Sequence, residues 1–190
     1  MVLDVVNYGH PILRKRGEKV ETFSPELSAY IDDLLETMYA AEGIGLASQQ
    51  VGRPLQVTVI DVSPVKDRPS TMRINDEEVD PNDHMPMVLV NPTLEPSGEP
   101  IEGPEGCLSF PEIYKEIRRP ESVKVSALDR EGNPVAFECG GLLARAVQHE
   151  TDHLNGILFI DRMSSLQKEE IRDELEALQA ETKEKLKQGN

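Results

Sequence analysis

Tryptophan is absent from the 190-residue chain, and aromatic residues of all kinds make up only 4% of it. Any core must therefore be mostly aliphatic. Cysteine is scarce too, with Cys107 and Cys139 as the only two. Two cysteines do not make a disulfide framework, and in a reducing compartment each is either a buried apolar side chain or a ligand or nucleophile. No apolar run is long enough for a transmembrane helix, and the first seventeen residues lack a signal-peptide core, so the sequence implies a cytoplasmic protein with no membrane partner. Positive charge is outnumbered: 20 basic against 35 acidic residues give a formal charge of −15. That balance excludes a chain-wide attraction for nucleic acid and leaves room only for a local basic patch.

What is present is an ordinary globular composition, 38% hydrophobic and 29% charged, on a length suited to a single domain, 1–190. Residues 1–20 read as extended or looped chain, with His10 beside Pro11 as a surface or capping residue. Ser24 as N-cap, Pro25 at the first helical position and the apolar stripe Leu27, Ile31, Leu34, Leu35 and Met38 predict a helix that stops by Gly43. Strands are expected over 56–62 and 87–90, and a second pair over 123–128 and 135–139 joined by the turn-rich 129–134. Between the first two, residues 63–86 are rich in Pro, Asp, Asn and Glu and read as a long surface insertion with His84 exposed. Residues 98–104 read as loop. Gly140-Gly141 precedes a helix closed by Asn155-Gly156, and 157–160 reads as a short strand. Residues 164–190 carry a long C-terminal helix with Leu166, Ile171, Leu175, Leu178 and Leu186 near one face. The sum is an α+β fold: antiparallel or mixed sheets around a central helix, with the C-terminal helix packed on or beside the domain.

That central helix holds the most informative stretch, Gln148-His149-Glu150-Thr151-Asp152-His153. On a helix His149 and His153 leave one face a turn apart, where a single metal ion can accept both imidazoles. Glu150 stands beside them without being an obvious ligand, the place for a general base acting on water. A catalytic site needs a third protein ligand. The extended metalloprotease pattern would require histidine at 159, where Phe159 stands, so that variant is excluded. Glu169, Glu170 or Glu174 would complete a different metalloendopeptidase site, but all three fall in a densely charged segment. Cys107, within Glu105-Gly106-Cys107-Leu108-Ser109, is the better candidate. A thiolate with two imidazoles suits Fe(II) or Zn(II) and leaves a milder Lewis acid, able to release a carboxylate product. A non-catalytic metal-binding protein is the competing reading from another class. Cys139, at a strand end, is expected to be core.

A third stretch, Gly43-Ile44-Gly45-Leu46-Ala47-Ser48-Gln49-Gln50, is small and uncharged. Its glycines let backbone approach a ligand and its glutamines offer amide donors, while the spacing and ending of a phosphate loop are missing. Together the three stretches resemble the signatures of the peptide deformylases, of the bacterial type 1 kind, in the same order. The similarity extends over 60–62, 123–129 and the C-terminal helix. Ser48 stands where the family usually has alanine, and the 63–86 insertion is longer than the family suggests, though distant from all three motifs.

The resemblance implies that Cys107, His149 and His153 bind one divalent metal, with Fe(II) the expected ion in cells and Zn(II), Ni(II) or Co(II) compatible. It implies Glu150 as general base and then acid, and Gln50 with the backbone N–H of Leu108 as oxyanion donors. Gly45 would contact substrate backbone, Ile44, Leu142 and Ala146 would line a methionine pocket, and Glu42 with Arg119 would form a supporting ion pair. The implied substrate is the formyl-methionine of nascent polypeptides, released as formate and a free amine by a monomer with no nucleic-acid specificity. Ribosome docking through the C-terminal helix is implied as well, and seven acidic against five basic residues between Lys168 and Lys187 weaken it.

Overall fold

Ser24 accepts a hydrogen bond from the Leu27 N–H and so caps α1 (Pro25–Ala40), whose proline lacks only an N–H that had no helical partner anyway. Leu27, Ile31, Leu34 and Met38 are buried against Leu46, Val57 and Val59, with Leu35 half-buried beside them. Each such side chain contributes roughly 1.5–3 kcal/mol of burial. The structure, a computed structural model, describes residues 1–189; Asn190, the last residue of the expected C-terminal segment, lies outside the described residues. Among those residues no helix is long and apolar enough to cross a membrane.

Among the described residues seven strands form one sheet: β1 (Gly45–Ala47), β2 (Val57–Ile60), β3 (Ser70–Ile74), β4 (Glu77–Val79), β5 (Met87–Cys107), β6 (Phe110–Leu128) and β7 (Pro134–Gly140). Their spatial order is β1-β2-β5-β6-β7-β3-β4, and every strand pairing is antiparallel. The long β5–β6 hairpin corrects the reading of 98–104 as loop. Beyond Val90 β5 has only β6 beside it, so its other edge is free. Pro100 and Pro104 of that stretch, like Pro92 and Pro96 before them, are tolerated on an edge strand because no ladder partner needs their missing N–H.

The segment 63–86 lies at the surface with His84 exposed, but it is built rather than looped: β3 and β4 form a hairpin that joins the sheet through β7, and Met72 is buried. It is also not distant from the motifs. Ser70 Oγ accepts from the Leu143 N–H at 3.0 Å and the Pro69 carbonyl from the Leu142 N–H at 3.0 Å. Those are two of the unpaired donors at the start of α2 (Gly141–Leu154), the helix carrying both histidines. Gly141 accommodates the contact: its φ is +68°, and a Cβ there would lie 2.2 Å from the Pro69 oxygen.

Two further expectations are corrected. Residues Phe159–Arg162 form a 3-10 turn where a short strand was expected, with the Leu158 N–H bound to Asp161 Oδ2. The C-terminal helix is broken at Ile171 into α3 (Ser165–Glu170) and α4 (Arg172–Lys187). Ile171 is buried, with Leu175 and Leu178 half-buried against the Phe110, Ile117 and Phe159 cluster, while Leu166 is exposed. Ile171, at the break, is buried in that cluster, while most of α4 beyond it is exposed.

Candidate active site

Three parts of the chain meet at α2. The helix carries His149, Glu150 and His153; the end of β5 brings Cys107; β1 and the 3-10 turn after it, Ser48–Val51, bring Gly45 and Gln50. One ligand atom each from Cys107, His149 and His153 lie within 4.8 Å of one another. Cys107 Sγ is 3.3 Å from His153 Nε2. His149 Nδ1 lies 2.9 Å from Glu105 Oε1, and an Nδ1–H donating to that carboxylate leaves Nε2 free to hold a metal ion. Burial opposes charge on His149, but Cys107 and Glu105 outweigh it and raise its pKa, so their field favours positive charge there. Burial, reinforced by His149, holds the His153 pKa well below the ordinary value, which keeps its imidazole neutral, the form that ligates. A donor set of one sulfur and two imidazole nitrogens fits a borderline-soft divalent ion and not calcium or magnesium.

Glu150 stands next to this cluster with Oε1 3.9 Å from His149 Nε2 and Oε2 buried without a hydrogen-bond partner. Burial pushes its pKa up to about 7, so it is poised to exchange a proton near neutrality. Gly45 leaves room for it, because a Cβ there would be 2.8 Å from both Cγ and Oε1 of Glu150. Gln50 is fixed by the Ala47 N–H donating to its Oε1 at 2.9 Å, and its Nε2 points to Ser109 Oγ at 3.2 Å and Cys107 Sγ at 3.6 Å. Ser48 is buried and paired with the Tyr30 hydroxyl on α1.

A cavity of about 370 Å³ opens on the cluster, lined by Ile44, Gly45, Cys107, Leu108, Leu142, Ala146, His149 and Glu150 among others. Gln50 and His153 are not among its lining residues, but both contact the Cys107 sulfur. Arg68, from the 63–86 segment, is a lining residue that the sequence reading did not assign, and it donates to the Pro104 carbonyl.

The expected Glu42–Arg119 pair is absent: Glu42 is exposed, and Arg119 instead grips Glu105 through Nε at 2.6 Å and Nη2 at 3.0 Å, and Asp152 through Nη1 at 3.0 Å. Arg145 is a third residue on Glu105, with Nη1 donating to Oε2 at 2.8 Å. Burial alone would raise Glu105, but His149 and Arg119 hold its carboxyl well below the usual carboxylate range. Glu105 is thus the anchor of His149. The sequence did carry a signal for it: a ligating histidine needs an acceptor for its other nitrogen, and Glu105 lies two residues from Cys107. Glu169, Glu170 and Glu174 are exposed on α3 and α4, outside the cluster.

A buried carboxylate beside three side chains that could hold a metal ion, at the edge of an apolar cavity, is the arrangement a metallohydrolase needs. The family model described as Polypeptide deformylase matches residues 2–169. A peptide deformylase from Methylacidiphilum infernorum is 46% identical, covering 94% of this chain and 93% of its own. Among solved structures, a peptide deformylase from Legionella pneumophila is 36% identical with TM-score 0.78, covering 100% of this chain and 99% of its own. That from Thermus thermophilus is 35% identical with TM-score 0.79, covering 95% and 99%. The chain belongs to the polypeptide deformylase family, enzymes that use a single divalent metal to hydrolyse the N-formyl amide of nascent polypeptides.

Proposed function

We propose that residues 1–190 form one catalytic domain that removes the formyl group from N-formylmethionyl nascent peptides, with Cys107, His149 and His153 holding the ion and Glu150 moving the proton. The observation that carries this is the convergence of those three ligand atoms within 4.8 Å beside a carboxylate with an unpartnered buried oxygen. When bound, a divalent ion supplies positive charge that lowers the pKa of water from about 15.7 to about 7. Glu150 takes a proton from the attacking water and returns it to the leaving amine, both directions being accessible from a pKa of about 7. The Gln50 Nε2 amide and the Leu108 main-chain N–H donate to the developing oxyanion, the kind of fixed donor whose loss typically costs about 10²–10³ in rate. Ile44, Leu142 and Ala146 receive the methionine side chain, and Gly45 presents its backbone to the peptide. Ser109 holds the Gln50 amide in place.

Fe(II) is the ion we assign in cells, with Zn(II), Ni(II) or Co(II) able to occupy the same donors. The enzyme works as a cytoplasmic monomer. Docking on the ribosome through the C-terminal helix is the remaining family expectation, and the net negative charge of α4 opposes it; unchanged co-sedimentation after truncation at Ser165 would rule it out.

Anaerobic purification with metal analysis, followed by formate release from a formyl-methionyl tripeptide, tests the reading. Glu150→Gln should keep stoichiometric metal and lose about 10²–10⁴ in kcat. Full activity in that variant, or undiminished metal binding in Cys107→Ser, would overturn the assignment.

A further inference from the structure

Gln148, Thr151 and Asp152, continued by the C-cap Asn155, occupy a different face of α2 from His149, Glu150 and His153. Over that face lies a second recess of about 490 Å³, separate from the catalytic cavity. Arg16, Arg118, Arg119 and Arg162 all line it, and Asp152 is the one carboxylate among its lining residues. In a chain of net charge −15, this is a local concentration of positive charge.

The internal partners do not account for it. Arg119 is committed to Glu105 and Asp152, and Arg162 donates to Asp152 through Nε at 3.1 Å and Nη2 at 2.8 Å. The side chains of Arg16 and Arg118 make no hydrogen bond or ion pair among the described residues. The amides lining the recess are already used: Gln148 donates to the Pro120 and Ala144 carbonyls, Gln56 to those of Gly17 and Leu154, and Asn155 to that of Thr151. Thr151 is 7% exposed and its hydroxyl oxygen is buried without a partner. Buried hydroxyls are seldom left so.

We propose that this recess binds a phosphate group, with Arg16 and Arg118 as its principal contacts and Arg162 and Thr151 completing it. Planar guanidinium forks match phosphate oxygens two at a time. Several guanidiniums set against one already engaged carboxylate call for an anion that can carry more than a single charge. The phosphate can come free in solution or from an RNA backbone, and the two sources are separable by experiment.

Arg16 and Arg118 are exposed and remote from the catalytic cavity, so the double variant Arg16→Gln/Arg118→Gln should fold and release formate at the wild-type rate. Calorimetric titration of the metal-loaded enzyme with inorganic phosphate should give saturable binding that the double variant weakens by about tenfold or more. A parallel titration with a short single-stranded RNA distinguishes the sources. Binding of inorganic phosphate assigns a free anion, whereas binding of RNA alone, lost in the double variant, assigns a backbone phosphodiester. Equal affinity in wild type and double variant, or no saturable binding of either probe, overturns the proposal.

Discussion

α2 and α4 are similar in length, 14 and 16 residues, and both carry polar side chains on every turn. Their surroundings are opposite. All but two residues of α2 are buried, whereas Thr182 is the only buried residue of α4. Arg145, Gln148 and His149 on α2 each reach a fixed acceptor on β5 or β6, far away in sequence. Apart from Leu175, Leu178 and Thr182, which face the domain, α4 carries mostly exposed side chains, as where Glu181 meets Lys185 one turn away at 3.4 Å. Helical periodicity is therefore a poor guide to importance; what matters is whether a polar group has exchanged water for one specific partner.

The most severe test of that contrast removes a partner of α2. Glu105→Ala deletes the acceptor shared by Arg119, Arg145 and His149, all of them buried. Stranding buried charges in this way typically costs about 3–5 kcal/mol. The freed His149 ring should also lower metal affinity about 10–100-fold. Denaturant unfolding and a competitive metal titration measure the two effects. A stability loss under about 1 kcal/mol would mean that water replaces Glu105 easily, and the contrast between the helices would fail.

The next test concerns the start of α2 and what could be read ahead of the structure. The first helix was legible because Ser24, Pro25 and the stripe to Met38 are all local signals. His149, Glu150 and His153 were legible for the same reason, and Cys107 by the chemistry it shares with them. The partner of Arg119 was not: Glu105 is fourteen residues away across a hairpin whose prolines disguised it as loop. Nor was the support for α2 from 63–86, because its hydrophilic composition says nothing about which helix its Ser70 will cap. Ser70→Ala should therefore destabilise the protein by about 1 kcal/mol, the usual cost of a lost cap, with a matching fall in the urea midpoint. No change would return that segment to the passive surface role its composition suggested.

A smaller effect is expected where the chain before α1 is clipped to the 3-10 turn ahead of α3. Asp161 accepts from Arg14 Nη1 at 2.6 Å and Nη2 at 3.2 Å, and from the Leu158 N–H at 2.9 Å. Burial works to raise its pKa, but these hydrogen bonds prevail and hold it below the ordinary 3.8. A carboxyl with a depressed folded-state pKa adds stability that is full above its unfolded value and is lost as pH falls through the folded one. The pair is partly exposed, so the contribution is about 0–1 kcal/mol. Between pH 6 and pH 3 the melting temperature of wild type should fall slightly more than that of Arg14→Gln. The reverse order would show that Arg14 does not depress Asp161.

The smallest effect should come from α4 itself. Glu181→Gln removes the carboxylate facing Lys185, in a pair whose side chains are 63% and 65% exposed. Both ends of such a pair are well hydrated before and after substitution, and an i,i+4 pair on a helix contributes about 0.3–0.5 kcal/mol at low salt. The shift in urea midpoint should shrink further as salt screens the pair. Formate release should stay at the wild-type rate, since α4 lines neither the catalytic cavity nor the arginine recess. A loss comparable to that from Glu105→Ala would mean that α4 is held by a partner not seen at its surface, and burial would no longer separate the two helices.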